Sequence, residues 1–157
     1  MKKNSAFTLI ELLLVITIIG IVMALAVPNF SRGYSQFQLN KTADDLLSVS
    51  RWAQAMAIGQ ERTYALTFPG DRRSYQLQYI NSENNSDGTP SFVPVKGTLG
   101  RSHMVPDNVH LDIHDDNIEF YPDGTIDPAT VELSSSGKKI GLSTIEERGM
   151  MTKVDNE

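Results

Sequence analysis

The sequence predicts an α+β protein in which one long N-terminal helix packs on a C-terminal antiparallel β-sheet. Three observations carry that expectation. The apolar residues crowd into the first thirty positions, helical periodicity continues for about thirty more, and the rest alternates in short runs separated by turn residues. At 157 residues the chain has room for about one globular domain. It carries 14 Lys and Arg against 19 Asp and Glu, a formal charge of −5. An acidic surface repels phosphate backbones, so a general nucleic-acid partner is disfavoured. With no cysteine, disulfide stapling, thiolate metal sites and a cysteine nucleophile are all excluded.

The first element is the apolar segment Phe7 to Pro28, preceded by the basic pair Lys2 and Lys3. As a helix its 22 residues reach roughly 33 Å, enough for a hydrocarbon core about 30 Å thick. The preceding lysines orient that end toward the cytoplasm. Glu11 is the anomaly, one turn inside the apolar edge. A carboxylate there is costly and points to a cationic partner. A chain cut before Phe7 would expose a new α-ammonium at that depth, which Glu11 of a neighbouring copy could meet.

Residues 29–59 continue the helix as an amphipathic one. Phe30, Tyr34, Phe37, Leu39, Ala43, Leu46, Leu47, Ala53 and Ala57 form its stripe, and Gly59 is the expected stop. Trp52 and Met56 are expected under the sheet. Residues 60–157 read as β-structure. Thr63–Phe68 and Tyr75–Ile80 flank Pro69-Gly70-Asp71 as a hairpin, and Asn81–Ser91 is a polar loop. Shorter strands are expected at Phe92–Val95, Val109–Ile113, Ile118–Tyr121, Thr130–Leu133, Lys139–Leu142 and Met150–Val154. One sheet on the exposed half of the helix is the expected arrangement.

The stretch "AFTLIELLLVITIIGIVMALAVPNF" resembles the N-terminal signature of type IV pilins and type II secretion pseudopilins. The resemblance implies a cytoplasmic leader, residues 1–6, cut between Ala6 and Phe7 by a membrane-embedded prepilin peptidase that also N-methylates Phe7. It implies that Glu11 pairs with the N-terminal amine of an adjacent subunit. Gly20 and Pro28 fall on the family's helix-weakening positions, by about 1 and 3 kcal/mol respectively. Ala6 departs from the family's usual Gly, and processing is expected to survive this. "RWAQAMAIGQ" and "IEFYPDGTID" resemble the helix end and the C-terminal β-segment of the H-type minor pseudopilins and the fimbrial T/U-type minor pilins.

The implied function is that of a minor pseudopilin in a type II secretion pseudopilus; the alternative is a minor type IV pilin that primes pilus assembly or aids DNA uptake. Expected partners are other pilins through the N-terminal helix, the prepilin peptidase/methyltransferase and inner-membrane lipid. The implied location is the bacterial inner membrane, single-pass, with the C-terminal domain periplasmic. A third reading takes Ala24-Leu25-Ala26 as a signal-peptidase site releasing a soluble exported domain. A continuous helical stripe beyond Pro28 argues against it.

His110, Asp112 and His114 share one strand face and are read as solvated rather than as zinc ligands. Asp123 and Asp127 flank a turn that Pro-Asp-Gly explains without calcium. Arg72-Arg73 at the hairpin tip are too few for phosphate binding. No catalytic set stands out, so an enzyme is not expected, nor is any cofactor or metal.

Overall fold

The computed structural model describes residues 8–81, 91–145 and 150–154, and for residues 25–32 the backbone only. Two compact units divide the chain, Met1–Tyr34 and Ser35–Glu157. A single helix, α1 (Leu9–Gln60), belongs to both. In the first unit the described side chains are exposed throughout.

In the second unit α1 buries a stripe against the β-structure. Leu39, Ala43, Leu46, Leu47, Ala53 and Ala57 are buried, as the periodicity predicts, and Thr42, Val49 and Ser50 join them. Tyr34 and Phe37 were expected on this stripe, yet both are exposed. Burial of the stripe therefore begins at Leu39, and the Phe30 side chain lies outside the described residues. The helix also passes the expected stop at Gly59. Glu61 takes the left-handed conformation at φ 51°, and the Arg62 amide donates to the Ala57 carbonyl at 3.2 Å. This bond closes the helix end from the position after the left-handed residue.

Among the described residues nine strands follow: β1 (Tyr64–Thr67), β2 (Ser74–Asn81), β3 (Ser91–Pro94), β4 (His103–Met104), β5 (His110–Ile113), β6 (Asn117–Phe120), β7 (Thr130–Ser135), β8 (Lys138–Ser143) and β9 (Thr152–Val154). They form two antiparallel sheets rather than the single sheet expected. One runs β3-β2-β1-β6 with the short β4 also on β2; the other runs β5-β7-β8-β9. The β1–β2 hairpin pairs Tyr64 with Tyr79 and Thr67 with Gln76. β4 has only two residues and no alternation, so periodicity could not reveal it. Between β7 and β8 only Ser136 and Gly137 remain unpaired, at φ 49° and 81°. Two positive φ values in a two-residue loop make the turn that matches natural strand twist.

The inner faces of both sheets and the α1 stripe make one core. Leu66, Leu77, Ile118 and Phe120 come from the first sheet, and Val131, Leu133 and Leu142 from the second. Alternation is strict in β5 and β7, the pattern of a sheet with one face in a core and one in solvent. Trp52 and Met56 pack at the margin of this core rather than inside it. The Trp52 ring meets Tyr64 edge-on at 6.3 Å.

Candidate assembly site

The start of α1 explains part of the Glu11 anomaly. Thr8 precedes the first helical residue, and its Oγ1 accepts the Glu11 amide at 3.3 Å. In return Glu11 Oε2 accepts the Thr8 amide at 3.3 Å and the Thr8 hydroxyl at 3.4 Å. This is a reciprocal capping box, which satisfies amides that the first helical turn leaves without partners. A carboxylate in the first turn also faces the positive end of the helix dipole. The signal was present as Thr-x-x-Glu ahead of an apolar run, a pattern the sequence reading used only as part of a family signature.

Beyond the cap, every described large apolar side chain from Leu9 to Met23 is 45–83% exposed. A helix apolar on all sides has no stable contact with water and needs lipid or other helices around it. The Thr17 hydroxyl donates to the Leu13 carbonyl at 2.8 Å, so this polar group needs no outside partner. Nothing lies within 4 Å of a side chain built at Gly20, and the helix runs unbroken through positions 20 and 28. Among the described residues no helix is long and apolar enough to cross a membrane. The described side chains of this run end at Ala24, whereas the expected span, Phe7–Pro28, extends past them at both ends. Ala6 and Phe7, where cleavage and methylation were expected, and the Pro28 side chain lie outside the described residues.

The motifs of the second unit have structural explanations. His110, Asp112 and His114 are exposed, and Asp112 accepts from Arg72 at 3.3 Å. Among the described residues no group of three or more His, Cys, Asp or Glu could hold a metal ion. Asp123 Oδ1 accepts the Thr125 amide and hydroxyl at 2.9 and 2.6 Å, which holds its carboxyl below the usual range. Asp127 accepts from the Tyr121 hydroxyl at 3.1 Å and from the Glu119 amide at 3.3 Å. These carboxylates serve the turn. The basic pair is also engaged: Arg73 pairs with Asp107 at 2.7 Å, and Arg72 adds a bond to the Ile113 carbonyl. Arg72 thus ties the β1–β2 tip to an edge strand of the other sheet.

Residues 1–27 match the prokaryotic N-terminal methylation motif. Residues 42–145 match the family described as type II transport protein GspH. The chain belongs to that family. Family and fold are those of structural pilin and pseudopilin subunits, not of enzymes. Two fimbrial proteins of Pseudomonas aeruginosa are 27% identical to this GspH-family chain over 115 residues, 65% of it and 72% of theirs. Among solved structures, the minor pseudopilin EpsH of the Vibrio cholerae type 2 secretion system is similar with a TM-score of 0.59 at 11% identity. That match covers 74% of this chain and 96% of EpsH. The type IV minor pilin FimU of P. aeruginosa is similar with a TM-score of 0.53 at 16% identity, over 74% and 92%. At such identities the likeness is one of fold, and it places the long helix and its β-rich unit among pilin-like proteins.

Proposed function

We propose that this GspH-family chain is a minor pseudopilin, a structural subunit of the pseudopilus that helps drive proteins across the outer membrane in type II secretion. The family match over residues 42–145 carries the reading. In this reading residues 1–6 are a leader removed between Ala6 and Phe7, Phe7 is N-methylated, and the apolar first half of α1 anchors the subunit in the inner membrane. The β-rich unit then lies in the periplasm. After assembly the same apolar surface packs among neighbouring helices, and Glu11 pairs with a neighbour's N-terminal amine. Gly20 and Pro28 let the intervening helix bend or melt as subunits pack.

The deciding experiment deletes the gene in its host and follows secretion and piliation together. Loss of extracellular type II substrates with pili intact is expected. A second reading, a minor type IV pilin, is favoured by the fimbrial relatives and predicts the reverse. Peptide mass analysis of the mature N-terminus tests the processing separately. N-methyl-Phe7 is expected, whereas a free Val27 would mean release after Ala26 and would sink the anchored reading.

A further inference from the structure

The second unit presents an exposed apolar ridge between two open clefts. Pro128 and Ile145 line both clefts, which measure about 460 and 450 Å³. Ile145 is 62% exposed, and the backbone leading up to it is hydrogen-bonded. Its amide donates to Ser143 Oγ at 3.1 Å, and the Thr144 amide donates to the Ala129 carbonyl at 3.1 Å. The Thr144 hydroxyl donates to the Asp127 carbonyl at 2.7 Å and accepts the Ala129 amide at 2.8 Å. The exposed side chain therefore stands on a fixed platform. A preorganised apolar anchor is the kind of group that dominates binding, because little order is lost when it is covered.

The rim of the ridge is acidic. Asp112, Asp115 and Glu132 line one cleft and Asp123 the other, with no Lys or Arg among the described lining residues. Arg72 pairs with Asp112 and Lys139 with Glu132. Asp115 and Asp123 have no cationic partner among the described residues. Asp123 also stays ionised to unusually low pH, because two hydrogen bonds from Thr125 favour its charged form. A net-negative copy of the same chain is a poor fit to this rim.

We infer that the Pro128–Ile145 ridge is a docking surface for a neighbouring pilin-like subunit of different sequence, whose contact carries an apolar side chain flanked by Lys or Arg. This inference rests on the subunit reading above but not on which machine the subunit serves. It adds a second interface, on the β-rich unit, to the one expected along the N-terminal helix.

The test places a photoreactive amino acid at position 145 of the full-length chain in its host membranes, with the exposed Lys138 at the start of β8 as a control position. Expected is a cross-link from position 145, but not from 138, to another N-methylated subunit identified by mass spectrometry. Asp115→Lys should reduce its yield about tenfold, since it sets like charges against each other at the rim. Lys138→Glu, a charge change of equal size at the exposed start of β8, should leave the yield unchanged and so controls for surface charge alone. A cross-link only to a second copy of this chain, to lipid, or to no subunit would overturn the inference. So would a yield indifferent to Asp115→Lys. The secretion and piliation phenotypes are read in the same strains, so a wrong choice of machine is distinguished from a wrong choice of surface.

Discussion

Thr8 and Glu11 show how one residue can answer two demands. In the isolated chain the Glu11 carboxylate closes the helix start through Oε2, and assembly would add an ammonium partner from a neighbour. The two roles separate experimentally. Loss of a helix cap typically costs about 1 kcal/mol, felt within one subunit. Loss of an ion pair in an apolar surround costs more, and it is felt between subunits. Glu11→Ala is therefore expected to enter the membrane and be processed normally, yet to be missing from sheared or cross-linked filaments. Thr8→Val, which removes only the hydroxyl, should still be incorporated. Normal incorporation of Glu11→Ala would remove the assembly account and leave the cap as the whole explanation. Both roles were legible in Phe-Thr-Leu-Ile-Glu, but the family pattern drew attention to the intermolecular one. The partners of Arg72 and Arg73 were not legible, because Asp112 and Asp107 lie 40 and 34 residues away in sequence.

Elements with a strong period were readable, and those held by distant contacts were not. The Leu39–Ala57 stripe and the strands of both sheets other than β4 follow from apolar spacing, because burial on one face imposes a period of 3.6 or 2. Division into two sheets depends on which strand edges meet, and alternation says nothing about partners. β4 is held only by its pairing with Ser74 and Tyr75. The helix runs one residue past Gly59 because Glu61 takes the left-handed φ of 51° that closes it. β9 is the element whose removal should matter most for its length. Met151, beside it, is 1% exposed and lies 3.3 Å from Ser50 Oγ on α1, while Lys153 pairs with Asp44 of α1 at 2.7 Å. Emptying the Met151 site alone should cost about 2–5 kcal/mol by the usual scale for large-to-small core changes. Ending the chain after Gly149 is expected to give membranes with a normally inserted N-terminus and a β-rich unit degraded by added protease. A protease-resistant truncated unit would show that β9 is dispensable.

At the scale of the whole molecule, an apolar helix start with an exposed surface and a β-rich unit with its own core have different requirements. The first needs lipid or other helices; the second needs only itself. That division suits a subunit that is stored in a membrane and later joins a fibre. The Ser50–Met151 contact adds a consequence in time. It joins positions 101 residues apart. Contacts so distant in sequence form late, since chain closure must come first. The core under the helix is therefore sealed late in folding, and a chain that has not yet brought Met151 back to Ser50 is still open to protease.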